Sequence, residues 1–222
     1  MRLLLISSSV VHGHGFLEQP EPEIRRFLAG KKTVAFCPFA AHDHDVYMEK
    51  VRARFGQMGF DVVPIEQHDG ADAIFVGGGN TFRLLKKLYE RKLLDVIRDR
   101  ARSGVPYIGS SAGSIIASPT IRTTNDMPIV EPPSLTSLGL LSFQLNCHYL
   151  DTDPNSTFKG ETREQRILEF HEENSTPVLG LREGTMLSVE KGTITLLGMK
   201  NARIFRRGQE AVEIKPGSRV EL

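Results

Sequence analysis

The chain has 222 residues, of which 40% are hydrophobic and 25% are charged. This length and composition are typical of a globular protein with one core, so we expect a single domain over residues 1–222. The 28 basic and 27 acidic side chains give a formal charge of +1, which provides no field to attract nucleic acid or an anionic membrane. The charge balance therefore favours a small-molecule partner.

The N-terminal segment is apolar only over residues 3–6. This run is shorter than the ~7–15 residues of a signal-peptide core and the ~20 residues that span a bilayer. Cys37 and Cys147 form neither a CxxC pair nor a disulfide framework. We therefore expect a cytoplasmic protein whose chain begins with a buried strand at residues 3–8.

Short apolar runs alternate with amphipathic segments over the first two-thirds of the chain. This alternation is typical of a parallel α/β sheet with strands covered on both faces. The predicted strands are residues 3–8, 33–38, 61–65, 73–76 and 107–109, and the predicted helices are residues 17–28, 45–58, 80–89 and 93–102. Asn80 and Thr81 predict the cap and entry turn of the third helix.

The last hundred residues have a different pattern. Residues 120–141 are rich in Pro, Ser and Thr and predict a long loop, which in a compact domain is usually functional. A helix is predicted at residues 161–173 and an apolar strand at 178–181. Short strands at 187–189, 194–197, 202–205 and 211–214 predict an antiparallel meander added to the main sheet. We therefore predict an α/β three-layer sandwich with a mostly parallel central sheet and a small C-terminal antiparallel strand extension.

Residues 109–113 read Gly-Ser-Ser-Ala-Gly, a G-x-S-x-G sequence between a predicted strand and a helix. In that context the glycines permit a tight turn that exposes the central hydroxyl, which belongs to Ser111. The free N–H groups of the new helix, beginning with Ala112, can then face an oxyanion. Ser110 is a weaker candidate because it precedes the apex of the turn. The alternative is a turn that uses small residues only because they fit.

Three glycines at residues 77–79 follow the predicted strand at 73–76. Glycine lets the backbone approach a ligand closely, and its amide can face an anion. The segment matches neither the G-x-G-x-x-G dinucleotide fingerprint nor a phosphate loop. Because neighbouring parallel strands deliver their loops to one edge, we predict that Gly78 and Gly79 form an oxyanion hole beside Ser111. A simple tight turn is the alternative.

A serine nucleophile needs a general base, and histidine is suited to neutral pH. His148 ends an apolar segment, which would place its imidazole at the edge of the sheet. The other histidines fall in Gly-rich or polar loops or, for His171, on a helix face that we expect to be solvated; the loop histidines are His12, His14, His42, His44 and His68. The two His-x-His pairs could share a metal ion, but no HExxH motif or third ligand accompanies them, so we predict no metal.

Several segments together resemble the peptidase E family. They are residues 76–82, 109–113, 120–130, 159–166 and 180–184, and their order and spacing match over almost the whole chain. The resemblance implies a class I glutamine amidotransferase-like, flavodoxin-like fold with serine at the nucleophile turn. It also implies hydrolysis of dipeptides with an N-terminal aspartate through a serine acyl-enzyme, without metal or cofactor. Ser111 matches the nucleophile and His148 the general base.

The resemblance leaves two candidates for the acid that orients His148, because Asp126 and Glu183 both fall on matching positions. Amidotransferases carry the acid two residues after the histidine, where this chain has Leu150. Glu183 follows an apolar strand and precedes Gly184, so we favour it as the partner of His148. Asp126 is also predicted to be catalytic, either by orienting His148 or by binding the ammonium group of the substrate.

An aspartyl dipeptidase also needs a cation for the β-carboxylate of its substrate. Arg163 is the candidate for a bidentate clamp, and Arg122 and Asn80 are further candidate substrate-binding residues. The alternative for Arg163 is a solvent-facing arginine in the first turn of a helix. We expect a monomer or a homodimer, since the sequence does not distinguish them.

Two other functions compete with this prediction. A cyanophycinase-like hydrolase of β-aspartyl linkages would be favoured by long insertions that bind a polymer, and the compact chain has none. A non-catalytic small-molecule-binding protein on the same fold would not need Ser111, His148 and an acid together. The sequence therefore favours the dipeptidase.

Overall fold

The structure, a computed structural model, describes residues 1–153, 155, 157 and 160–221. Its strands are β1 (Arg2–Ile6), β2 (Thr33–Cys37), β3 (Asp61–Pro64), β4 (Ala73–Val76), β5 (Tyr107–Ser110), β6 (Gln144–Cys147), β7 (Val178–Leu181), β8 (Thr185–Glu190), β9 (Thr193–Gly198), β10 (Ala202–Phe205) and β11 (Val212–Ile214). Its helices are α1 (Glu21–Phe27), α2 (His44–Gln57), α3 (Thr81–Glu90), α4 (Leu94–Arg102), α5 (Ala112–Ile115) and α6 (Arg163–Glu173), with a 3-10 turn at Ile65–Gly70. The strands and helices predicted from the sequence are confirmed, with shifted ends.

Seven strands form the main sheet in the order β3-β2-β4-β5-β1-β8-β9. The first five are parallel, β8 pairs with β1 in antiparallel orientation, and β9 pairs with β8 in antiparallel orientation. α1 and α2 cover one face, where Phe36, Phe55 and Phe75 stack, and α3, α4 and α5 cover the other. Burial on both faces explains the continuous apolar sequences of β4 and β5. The predicted three-layer α/β sandwich is confirmed.

Four strands form a second sheet in the order β11-β10-β7-β6. β6 and β7 are parallel, while β10 and β11 are antiparallel additions. The predicted meander is therefore correct for β8 and β9, but wrong for β10 and β11, which do not extend the main sheet. β10 instead pairs with β7, where Ile204 lies in the core and Phe205 packs against Tyr149 and the α6 residue Ile167. A single domain over residues 1–222 stays a prediction.

The long segment from α5 to β6, residues 116–143, contains one isolated bridge between Thr120 and Thr136. Its central part is anchored to the end of β6. The Thr123 hydroxyl donates to the Leu145 carbonyl at 2.9 Å, and the Asn125 amide donates to the Cys147 carbonyl at 2.8 Å. These bonds fix residues 123–126 beside the carboxyl edge of the second sheet.

Cys37 and Cys147 are both buried and unpaired. Burial raises the pKa of the Cys37 thiol to about 12 and that of Cys147 further, so both thiols are protonated at neutral pH. None of the helices in the described ranges combines the length and apolar character needed to cross a membrane. A cytoplasmic location stays a prediction.

Candidate active site

Ser111 forms the turn between β5 and α5 with φ 50° and ψ −110°. A positive φ is uncommon for a residue with a side chain and marks the strained turn that exposes a nucleophile. The neighbouring glycines are required by space: a Cβ on Gly113 would lie 2.1 Å from the Val76 carbonyl oxygen, and one on Gly109 would lie 2.5 Å from the carbonyl oxygen of Gly113. The turn therefore presents the side chain of Ser111 at the edge of the main sheet.

Ser111, His148 and Glu183 form a continuous hydrogen-bonded relay. Ser111 Oγ lies 2.9 Å from His148 Nε2, and His148 Nδ1 lies 2.8 Å from Glu183 Oε1. His148 directly follows β6, and Glu183 follows β7, the parallel neighbour of β6. Since parallel strands end at the same edge, the fold brings base and acid together. Of the two acids predicted from the sequence, the structure places Glu183 against His148.

The backbone of His148 is also in a left-handed conformation, with φ 55°. Its N–H donates to Ser7 Oγ at 3.1 Å, and the Ser7 hydroxyl donates to the Leu181 carbonyl at 2.8 Å. Ser7 follows β1 and is fully buried, so it connects the main sheet to both strands that carry the relay. Ser7 was not predicted as a site residue because it has no local motif; a serine that continues a buried apolar strand is its only signal in the sequence.

A cleft of about 450 Å³ opens beside the relay, a volume that suits a small molecule. Five residues predicted for the site line it, namely Ser111, His148, Asp126, Gly78 and Gly79. The wall also contains residues that the sequence analysis missed, of which Phe16, Tyr47 and Lys50 are the largest. Tyr47 and Lys50 lie three residues apart on α2 and therefore share one helix face.

The glycine loop after β4 contributes amides to this cleft. The N–H of Gly78 donates to the Tyr47 hydroxyl at 3.0 Å, so this amide is occupied and the predicted oxyanion role does not fit it. The amides of Gly79 and Ala112 have no acceptor among the residues that the structure describes. Gly79 has φ 137°, and a Cβ there would lie 2.4 Å from the Ala40 carbonyl oxygen, which explains the glycine.

Asp126 lies in the cleft but makes no hydrogen bond to His148 within the described part of the chain. Its Oδ2 instead accepts the backbone N–H of Thr81 at 2.8 Å and the hydroxyl of Thr124 at 3.2 Å. This carboxylate therefore rests on the N-terminus of α3, where the helix dipole favours a negative charge. The geometry argues against Asp126 as the group that orients His148.

Asn80 caps α3, as the sequence predicted. Its Oδ1 accepts the N–H of Arg83 at 3.0 Å, and its amide donates to the Met127 carbonyl at 2.8 Å. Its Oδ1 and one N–H of its amide are thus used within the protein, and its assignment to substrate binding stays a prediction. Arg122 is exposed and does not line the cleft, and its assignment to substrate binding also stays a prediction.

Arg163 is the first residue of α6 and is half-buried. Burial lowers the pKa of its guanidinium, and the neighbouring Arg166 lowers it further, while the charge of Asp126 raises it. Arg163 forms no ion pair with any carboxylate in the described ranges. Arg163 does not line the cleft, but its cation, without an ion pair among the described residues, lies within electrostatic reach of Asp126. Lys159, which begins the segment 159–166 that also contains Arg163, lies outside the described residues.

The structure corrects the expectation for His171. His171 is not on a solvated face: it is 4% exposed, and its Nε2 lies 3.1 Å from the Thr176 carbonyl oxygen. That prediction was wrong because His171 lies four residues after Ile167 and shares the buried face of α6 with it. Among the described residues, no three His, Cys, Asp or Glu side chains gather as metal ligands.

Comparison with known proteins gives consistent results. The family model described as peptidase family S51 matches residues 3–197. The chain is 51% identical to a Streptomyces coelicolor protein named peptidase E, over 98% of this chain and 93% of the relative. It is 46% identical to a Drosophila melanogaster protein named "Probable alpha-aspartyl dipeptidase", over 96% of this chain and 93% of the relative. The crystal structure of a peptidase from an acI-B1 actinobacterium has a TM-score of 0.70 at 18% identity, covering 100% of this chain and 96% of that chain, which supports the fold alone.

Proposed function

The chain belongs to peptidase family S51, and from this premise we propose that it hydrolyses dipeptides with an N-terminal aspartate through a serine acyl-enzyme. The observation that carries the proposal is the relay Ser111–His148–Glu183, with separations of 2.9 and 2.8 Å. The names of the relatives supply the substrate class. The relay supplies the chemistry, because it combines a nucleophile, a base and an orienting acid.

The reaction begins at Ser111. His148 Nε2 accepts the hydroxyl proton while Oγ attacks the carbonyl carbon of the aspartyl residue. Glu183 accepts the Nδ1–H of His148, which leaves Nε2 unprotonated for this transfer and then stabilises the imidazolium. The tetrahedral intermediate collapses when His148 protonates the departing amino group. Water activated by His148 then releases aspartate from Ser111.

The oxyanion of the intermediate needs donors that are free before the reaction begins. The amides of Gly79 and Ala112 meet this requirement because neither has an acceptor among the described residues. Loss of one such donor typically costs ~10²–10³ in kcat. We assign the oxyanion hole to these two amides and give Gly78 a supporting role, since its N–H is already bonded to Tyr47.

The aspartyl residue of the substrate carries an ammonium group and a β-carboxylate close together. Asp126 lines the cleft beside Ser111, and its charge acts on Arg163. This pair of opposite charges is complementary to the two ends of the aspartyl residue. We therefore assign Asp126 to the ammonium group and Arg163 to the β-carboxylate.

The proposal is tested by release of free amino acid from α-Asp-Leu, β-Asp-Leu, Glu-Leu and Ala-Leu, with a chelator present. We expect cleavage of α-Asp-Leu only, and loss of at least ~10⁴-fold in Ser111→Ala with the fold retained by circular dichroism. Cleavage of β-Asp-Leu alone would reassign the protein to β-aspartyl linkages. Near-normal turnover by Ser111→Ala would exclude Ser111 as nucleophile.

A further inference from the structure

Lys50 stands apart from the other cations on its helix. Its ammonium group lies 4.2 Å from the centroid of the Phe16 ring, and the residue lines the cleft that holds Ser111. Arg52 and Arg54 of the same helix pair with carboxylates at Glu49 and Glu21, whereas Lys50 has no carboxylate partner in the described ranges. Lys50 is thus an exposed cation at the wall of the cleft, held against the Phe16 ring and open to an anion.

A continuous wall joins Lys50 to the nucleophile. A Cβ placed on Gly78 would lie 3.2 Å from Ser111 Cβ, and the Gly78 amide bonds to the Tyr47 hydroxyl at 3.0 Å. The rings of Tyr47 and Phe16 meet edge to face with centroids 6.2 Å apart, and the ammonium group of Lys50 lies over the Phe16 ring. A substrate bound at Ser111 can therefore extend along this wall to the cation.

The wall lies on one side of the sheet and the charges assigned to the aspartyl residue lie on the other. α2, which carries Lys50, packs through Val51 and Phe55 on one face of the main sheet. Asp126 rests on α3, which packs on the opposite face through Leu84 and Leu88. Ser111 directly follows β5, which lies between these layers, and the cleft at Ser111 is lined by both Asp126 and Lys50. A dipeptide that places its ammonium at Asp126 can therefore extend its leaving amino acid towards Lys50.

We propose that Lys50 binds the C-terminal carboxylate of the dipeptide and thereby limits cleavage to substrates with one residue after the aspartate. This inference rests on the proposed function. A lysine ammonium is a compact donor for a carboxylate, and contact with the Phe16 ring limits its freedom. The C-terminal carboxylate is one residue from the scissile bond in a dipeptide and further away in any longer peptide. A contact with the carboxylate at this distance therefore favours dipeptides over longer peptides.

The test compares three substrates that share the aspartyl residue but differ after the scissile bond: α-Asp-Leu, α-Asp-Leu-amide and α-Asp-p-nitroanilide. In Lys50→Met we expect an about tenfold rise in KM for α-Asp-Leu with little change in kcat, because one charge-assisted contact at a partly solvated site is lost. The kcat/KM values for the amide and the anilide should stay at the wild-type level. Lys50→Arg should retain most of the preference, and Lys86→Met on α3 serves as the matched lysine control.

The outcomes distinguish the role of Lys50 from the proposed dipeptidase function. An equal loss on all three substrates would overturn the inference, because Lys50 would then act on the aspartyl residue or on the fold. An unchanged KM for α-Asp-Leu would overturn it as well. A wild-type protein that cleaves none of the three would overturn the proposed function, and the role of Lys50 with it.

Discussion

The backbone N–H of His148 donates to the hydroxyl of Ser7, 141 residues earlier in the chain, at 3.1 Å. This bond holds the left-handed backbone of His148, with φ 55°, at the point where the chain leaves β6 of the second sheet. Ser7 is therefore a positioning residue for the base. We expect Ser7→Ala to lower kcat about 10- to 100-fold with little change in KM, since a small displacement of the base is costly.

A buried serine hydroxyl also contributes to stability, so the measurement needs a matched control. Ser137 is equally buried, and its hydroxyl donates to the Ser118 carbonyl at 2.6 Å, away from the cleft. Ser137→Ala should lower the free energy of unfolding by ~1–3 kcal/mol and leave kcat unchanged. Equal kcat values in the two variants would assign Ser7 a structural role only.

Glu183 is predicted to act through His148 alone. The side chains of His148 and Glu183 are 39% and 42% exposed, so their pairing contributes little to stability. Glu183→Gln keeps the shape but provides an amide that no longer selects the required tautomer. We expect kcat to fall on the order of 10³–10⁴-fold while the melting temperature stays within a few degrees. Glu190→Gln, which removes an exposed pair with Arg2, is the control, and a similar loss there would contradict the assignment.

The parts of the site that were predictable from the sequence are those with a local physical signature. Gly109, Ser111 and Gly113 lie within five consecutive residues, and their spacing after a predicted strand indicates a tight turn. The alternation of apolar runs likewise predicts the parallel sheet, because a strand buried on both faces has few polar residues. His148 was identifiable only as a histidine at the end of such a run.

The parts that were not predictable depend on contacts between distant segments. The backbone amide of Gly78, which the sequence predicted to be free for an oxyanion, donates instead to the Tyr47 hydroxyl. This bond forms because α2, which carries Tyr47, packs over the loop after β4. Likewise, β10 pairs with β7 rather than with β9, its nearest strand in the chain. Pairing partners are selected by packing of the whole molecule, and strand propensity carries no information about them.

Gly113 is predicted to be irreplaceable because its neighbours are backbone atoms. A Cβ there would lie 2.1 Å from the Val76 carbonyl oxygen, which cannot move without breaking the main sheet. We expect Gly113→Ala to lower the free energy of unfolding by at least ~2 kcal/mol in urea titrations.

Gly56→Ala is the matched control, since this α2 glycine has no atom within 4 Å of the added Cβ. That variant should be stabilised by ~0.5–1 kcal/mol. Equal stability of the two variants would refute the steric argument.

Tyr47 is predicted to make stability depend on alkaline pH. Burial raises the pKa of its phenol from 10.0 to about 12. Above pH ~10 the unfolded state therefore loses this proton before the folded state does, and stability falls as pH rises, by up to ~1.4 kcal/mol per pH unit. The measurement is the difference in unfolding free energy between wild type and Tyr47→Phe, which should be constant below pH ~9 and shrink towards pH ~11. Parallel curves would mean that Tyr47 ionises alike in both states.

Asp126 is predicted to act on the substrate rather than on His148. In Asp126→Asn, the remaining oxygen can still accept the N–H of Thr81, so the loop stays anchored while the negative charge is lost. We expect KM for α-Asp-Leu to rise about 10- to 100-fold, which is the effect of losing one charge-assisted hydrogen bond. The wild type should strongly prefer α-Asp-Leu over N-acetyl-α-Asp-Leu, and the variant should lose that preference, because the acetylated substrate has no ammonium to recognise. Asp99→Asn on α4 controls for the loss of one negative charge. If kcat alone fell and the preference for a free amine survived, Asp126 would belong with Glu183 in the chemistry of His148.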